Sequence, residues 1–238
     1  MSTSKPTTPP ESALQDQFDL LSQQQAQLKA LLLQEQTELK RLGRRLWTQQ
    51  EAERAALARE LHDGVGQLLT GLTRQLTEQS AGQPALQPLA ELASQALADV
   101  RQLSRLMRPA ILDDLGLEAA IRWLCRTLFT HADTQCNLSF SALDKVPEES
   151  AILVFRIAQE ALTNCLKHAN ASQVDLYLGQ GEGVLRMDIV DNGCGFDPAT
   201  VQGLGLVNMN DRAKAFDAKW QVASRPGRGC HLSLVVKL

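Results

Sequence analysis

The stretch "VDNGCGFDPATVQGLGL", residues 190–206, decides how the second half of this chain is read. The run "VLRMDIVD" before it alternates apolar and polar residues as a strand does. That strand ends on Asp191, and a turn carrying Gly193 and Gly195 follows. Two glycines at a strand end let backbone approach a flat ring closely. A strand-end carboxylate can accept a hydrogen bond from an exocyclic amine such as that of adenine. Further on, "GLGL" opens a helix. There Gly203 and Gly205 bare backbone N–H groups, an arrangement that suits phosphate. Between Phe196 and Gly203 only "DPATVQ" remains, so any lid over a bound nucleotide is very short.

Working outward, "QEALTNCLKHA" (159–169) lies on a helix expected from about Glu148 to His168, with Pro147 near its start. Glu160 and Asn164 are four apart and share a face. Lys167 and His168 flank that face, and the four polar groups together suit Mg²⁺ and phosphate. His168 also suits a helix C-terminal cap. "QVDLYLG" and "VLRMDIVD" form one expected hairpin across "QGEG". "KWQVASR" and "CHLSLVVKL" form another across "PGRG". A strand at 136–141 and helices at 115–132 and 204–216 complete a sheet covered by helices, in two layers.

The first half is helical. Residues 1–12 are rich in Ser, Thr and Pro and are expected to be disordered. Leu14, Phe18, Leu21, Leu28, Leu32, Leu39, Leu42 and Leu46 recur at steps of three, four or seven, a heptad seam. The next seam residue is Leu57, and that longer step resembles a stutter. The seam predicts a parallel coiled coil over residues 13–50. Leu57, Leu61, Val65, Leu68, Leu72 and Leu76 continue the stripe to the turn "SAGQP", and a second helix then runs to Pro109. A two-helix hairpin alone has too little core. Two of them paired as a four-helix bundle would bury both stripes, which predicts a homodimer.

Inside the hairpin, "ARELHDGVGQLL" (58–69) places two glycines in a helical pattern beside His62 and Asp63. Each Gly in a helix interior costs about 1 kcal/mol relative to Ala. His62 is expected at the accessible edge of the stripe. There Asp63 could accept the Nδ1 proton and leave Nε2 as nucleophile. The glycines would clear space for docking and let the helix bend. Gln67, four residues after Asp63, shares its face. His131 and His231 have no such surroundings and are assigned structural roles.

The chain has 238 residues, is 44% hydrophobic and 21% charged, and carries a net charge of −3. That balance argues against a nucleic-acid face. The five cysteines are scattered and lack CxxC spacing, as expected of reduced thiols. No run approaches the ~20 apolar residues of a membrane span. No basic-then-apolar leader opens the chain. The expectation is a cytoplasmic protein.

Residues 150–238 resemble the ATP-binding domain shared by gyrase, Hsp90, histidine kinases and mismatch-repair ATPases. The resemblance implies an α/β sandwich of the Bergerat type, with Mg²⁺ on Asn164 and adenine on Asp191. It implies that Gly193 and Gly195 shape the base pocket and that Gly203 and Gly205 contact phosphate. Cys230 stands where relatives usually have Thr, which weakens one hydrogen-bonding position. "RELHDGVGQ", with "RPAILDDLGLEAAIRWL", resembles the phosphoacceptor segment of sensor histidine kinases of the nitrate-response type. That resemblance implies phosphorylation of His62 by ATP and transfer to an Asp of a response regulator. It implies that Gln67 orients a water for dephosphorylating the regulator. Glu160 is the candidate for deprotonating the acceptor or orienting the metal's waters.

The expected class is therefore α+β. Residues 13–50 form a signalling helix, 51–112 a dimerisation and phosphotransfer domain, and 113–238 the catalytic domain. A serine kinase of the same ATP-binding superfamily and a coiled-coil scaffold with a decayed ATP domain are the competing readings. An upstream protein partner would deliver the stimulus through the coiled coil.

Overall fold

A computed structural model describes residues 11–107, 110–198, 200 and 203–238, without the side chains of 11–17 and 110. Residues 1–10, the Arg108–Pro109 link and part of the short lid segment lie outside the described residues. Helix α1 (Glu11–Glu60) already includes Glu11 and Ser12, where disorder was expected. The chain divides into two compact units, Met1–Gly43 and Arg44–Leu238.

In the first unit the seam residues stand exposed: Phe18, Leu21, Leu28, Leu32, Leu39 and Leu42 all face solvent. In the second unit, the winding changes where α1 reaches "LHDGVG". Leu61–Gly66 forms a π-helical turn, and α2 (Gln67–Ser80) resumes the α geometry. A turn led by Pro84 connects to α3 (Gln87–Met107), which packs back along α2. The two make the expected antiparallel hairpin, with Ala90, Ala93 and Leu97 buried.

Helix α4 (Ala110–Phe129) starts earlier than expected and breaks at Gly116, whose φ of 80° and ψ of −177° are not helical. An L side chain is strained at that φ, so glycine marks the joint. Strand β1 (Gln135–Phe140) follows, then α5 (Glu148–Asn164) with a π turn at Cys165–Ala169 that ends on left-handed Asn170. Strands β2 (Gln173–Gly181) and β3 (Val184–Asp191) pair antiparallel about a two-residue turn. Glu182 and Gly183 there have φ of 51° and 73°, the left-handed pair that matches strand twist. Helix α6 (Leu204–Ala215) leads to β4 (Lys219–Ser224) and β5 (Cys230–Lys237).

The five-stranded sheet has the order β1-β2-β3-β5-β4, parallel only between β1 and β2. Period-two alternation drives one face inward: Val174, Leu176, Leu178, Leu185, Met187, Ile189, Leu232 and Leu234 are all at most 4% exposed. Helices α4 and α5 cover them with Ile121, Leu124, Leu153, Phe155, Ile157 and Leu162. The other face is polar and open. On it Asp188 joins Arg186 and His231 at 2.5 and 2.9 Å.

Three contacts hold this sandwich to the end of α1. Trp47 meets Phe216 edge to face with centroids 4.7 Å apart, and Arg44 covers the same ring while pairing with Glu149. The third is a buried ion pair between Glu51 and Arg156, at 2.7 Å. Arg156 also donates to the Leu106 carbonyl at 3.0 Å and to that of Met107, satisfying the end of α3.

Candidate nucleotide site

The alternation that builds β3 turns Asp191 inward with Leu185, Met187 and Ile189. Its carboxylate is 6% exposed on an apolar floor. Burying a carboxylate is costly unless donors meet it. Gly193 supplies its backbone N–H to Oδ1 at 2.9 Å, and the Cys165 thiol donates to Oδ2 at 3.5 Å. Burial and the Asp191 charge push the Cys165 thiol well above its ordinary range. Cys230 faces Asp191 across the β3–β5 pair, and the same two causes raise it to about 11. Both thiols therefore stay protonated near neutral pH. Cys165 acts as a weak donor to the carboxylate, while Cys230 stands beside it where relatives were expected to carry a hydroxyl.

Above Asp191 lies a cavity of about 640 Å³. Its walls are apolar, with Ile189, Leu206, Met209, Val222 and Leu232, and its rim carries Glu160, Asn164 and His168. Gly195, Gly203 and Gly205 also line it. A flat heteroaromatic base on the apolar floor, with one carboxylate to read an amine, fits this composition. The N-terminus of α6 and the Asn164 amide then face the tail.

The glycines act in different ways. Gly195 has φ of 60°, and a Cβ there would be driven into the Arg225 carbonyl oxygen. It lets the loop after β3 lie against the β4–β5 turn, where the Gly227 N–H donates to Cys194 at 2.6 Å. A Cβ on Gly193 would overlap the Ala169 carbonyl. Gly193 is thus a packing point under the Cys194–Ala169 hydrogen bond of 2.7 Å, and it does not line the cavity. Gly205 lets α6 close on α5, because a Cβ there would strike Glu160 Oε1 and crowd Asn164 Nδ2 at 3.3 Å. A Cβ on Gly203 would meet open space.

Lys167 also lies away from the cavity and is exposed, while His168 lines it. The π turn at Cys165–Ala169 separates these neighbours from the regular face of α5. Among the described residues, no group of three or more His, Cys, Asp or Glu is arranged for a metal. Asn164 and Glu160 fit Mg²⁺ only as partial ligands, beside phosphate and water oxygens.

His62, Asp63 and Gln67 stand on the helical half, all exposed. The expected α-helical winding does not hold here, because Leu61–Gly66 is a π turn. Five residues rather than four then close a turn. This shifts the stacking of Asp63 over Gln67. A Cβ on buried Gly66 would crowd the Leu61 carbonyl at 3.3 Å, whereas one on Gly64 would meet nothing. Among the described residues, His62 and Asp63 make no hydrogen bond with each other.

Sequence reasoning passed over Glu51, Arg156 and Trp47. The signal for Arg156 was present, as a lone charge inside the apolar run "AILVFRIA". Cys194 was also missed. It is exposed at the cavity, and its thiol donates to the His168 carbonyl at 3.3 Å.

Residues 53–112 match the family described as histidine kinase. Residues 149–238 match the family of histidine kinase-, DNA gyrase B- and HSP90-like ATPases. Sensor histidine kinase MctS of Rhizobium johnstonii is 36% identical over 192 residues, covering 75% of this chain and 42% of the relative. Signal transduction histidine-protein kinase/phosphatase UhpB of Salmonella typhimurium is 34% identical over 209 residues, covering 82% of this chain and 41% of the relative. The chain thus spans less than half the length of these relatives. The histidine kinase domain of the Erythrobacter litoralis EL346 blue-light activated histidine kinase aligns with a TM-score of 0.47 at 17% identity, covering 80% of this chain and 94% of that one. Among the described residues, no helix is long and apolar enough to cross a membrane. With a matched histidine kinase segment on the helical half and a matched ATPase segment around the Asp191 cavity, this chain belongs to the sensor histidine kinases.

Proposed function

We propose that this protein is a cytoplasmic histidine autokinase that takes the γ-phosphoryl group of ATP onto His62 and passes it to an Asp of a response regulator. One observation carries the reading. The exposed imidazole of His62 lies in the matched histidine kinase segment, on the same chain as a cavity with a single buried carboxylate on an apolar floor. The match over 53–112 gives the helical half a task that a serine kinase or a scaffold would not need.

In this reading Asp191 accepts from the adenine amine, while the walls around Ile189, Met209 and Leu232 exclude water from the ring. Gly195 keeps the base loop against the β4–β5 turn, and Gly193 holds it to Ala169. Gly203 and Gly205 present the α6 N-terminus to the phosphates. His168 contacts them from the cavity rim, and Lys167 supports them only by moving toward it. Mg²⁺ neutralises phosphate charge when bound, with Asn164 as its protein ligand. Glu160 orients water or accepts a proton beside the reacting phosphate. At His62, Asp63 accepts the Nδ1 proton, leaving the Nε2 lone pair for in-line attack. Gln67 positions a water that hydrolyses the phospho-Asp of the regulator, releasing inorganic phosphate; UhpB is named a kinase/phosphatase.

Residues 51–112 serve as the dimerisation and phosphotransfer part, and 113–238 as the catalytic part. The exposed leucine seam of α1 supports a parallel coiled coil in a homodimer, through which an upstream partner protein acts. Incubating the full chain with γ-labelled ATP and Mg²⁺ tests the core of this. Acid-labile, base-stable label that vanishes in His62→Gln is expected. Label surviving that change, or acid-stable label, rejects the assignment.

A further inference from the structure

A second cavity, of about 410 Å³, adjoins the base pocket at Glu160. Glu160 lines both. Three guanidinium groups face the second one: Arg54 from α1, Arg156 from α5 and Arg212 from α6. Their charges are opposed by two carboxylates, Glu51 and Glu160. Glu51 is taken up by Arg156, whose Nε reaches both of its oxygens at 3.0 Å and whose Nη2 reaches Oε2 at 2.7 Å. Arg54 stays 3.6 Å from Glu51. Arg212 is half-buried and makes no hydrogen bond or ion pair among the described residues. Burial, then the Arg54 charge, push the Arg212 guanidinium below its usual range. The three arginines therefore carry one positive charge more than Glu160 in the cavity wall and Glu51 beside it balance. Such a place is stabilised by an anion with several acceptor oxygens.

We propose that Arg212, with Arg54 opposite it, forms a phosphoryl-oxygen subsite that receives the terminal phosphate of the nucleotide. This rests on the reading that the Asp191 cavity holds adenine. From Asp191, a nucleotide tail passes the N-terminus of α6 at Gly203 and Gly205 and arrives at Glu160. Gly205 is the point where α6 touches Glu160, and Arg212 stands two turns further along the same helix. The subsite is shared between α6 and α1, the helix that leads to His62. It thus tells a nucleoside triphosphate from a diphosphate while the sandwich rests on that helix. Arg212 and Arg54 are positioning residues: they hold the γ-phosphate and take no part in bond making.

The test is equilibrium binding of ATP and ADP to the full chain and to Arg212→Gln, Arg212→Lys and Arg54→Gln. A charge-assisted hydrogen bond is worth enough that its loss should weaken ATP about tenfold or more. ADP affinity should be nearly unchanged, and Lys should restore part of the loss. Inorganic phosphate added with ADP should bind the parent chain and not Arg212→Gln. If both nucleotides weaken equally in the variants, or neither does, the subsite is wrong. If Arg212→Gln fails to fold by circular dichroism, the ATP-to-ADP ratio in Arg54→Gln decides alone. Failure of the parent chain to bind either nucleotide would instead reject the adenine reading.

Discussion

A single carboxylate can be held in two very different ways in this protein. Asp191 is buried, and its donors are a backbone N–H and a thiol. Asp188, three residues earlier, sits on the open face of the sheet. Burial works to raise the Asp188 carboxyl, but hydrogen bonds from Arg186, His231 and Ser233 outweigh it and carry the group from 3.8 to about 2. A carboxyl depressed in the folded state adds stability above its unfolded pKa and loses it as the pH falls through its folded pKa. Asp188 therefore contributes fully above about pH 4 and progressively less toward pH 2. In urea titrations between those pH values, Asp188→Asn should flatten the acid fall in midpoint. An unchanged slope would mean that the Arg186 and His231 pairings carry no folding free energy.

At the scale of elements, irregular geometry is concentrated where chemistry is expected. The π turn at Leu61–Gly66 carries His62, and the π turn at Cys165–Ala169 presents His168 to the cavity while Lys167 stays outside. The Glu51–Arg156 pair is the main polar joint between α1 and α5. Replacing Arg156 by Met leaves buried Glu51 with only the longer 3.6 Å contact to Arg54 and takes one donor each from the Leu106 and Met107 carbonyls. Losing one partner of such a pair costs about 3–5 kcal/mol, whereas replacing both is far milder. Chemical denaturation should show that loss in Arg156→Met and recover most of it in Glu51→Gln/Arg156→Met. Equal losses in the single and double variants would place the stability elsewhere.

For the whole molecule, the seam of α1 is one apolar surface left exposed among the described residues. Leu28 and Leu32 are 58% and 54% exposed, within a row of similar residues. A row of this kind on a long helix is stabilised by a second helix bearing the same row. Changing both to Glu should convert dimer to monomer in light scattering of the full chain, with the sandwich still folded by circular dichroism. A dimer that survives would assign pairing to the α2–α3 hairpin alone.

Much of this was legible in the residues, because the forces concerned act over short spans of chain. Alternation in "QVDLYLG" and "VLRMDIVD" follows from side chains pointing to opposite faces every second residue, so the two strands and the place of Asp191 at the end of the second could be read directly. The same holds for the α2–α3 hairpin, whose 3.6-residue stripe and intervening turn are local. Winding was less legible. The switch from α to π at "LHDGVG" depends on small differences in backbone energy that composition signals only as misplaced glycines. Contacts between distant segments were not legible at all. Glu51 meets Arg156 across 105 residues, and Arg54 meets the α6 guanidinium only because α1 and the sandwich pack together. Sequence alone determined the elements and the nucleotide-type glycine turns, since each is a local balance of period and backbone freedom. Tertiary packing alone decided which charges share a cavity, because burial and electrostatic pairing depend on distance in space rather than on spacing along the chain.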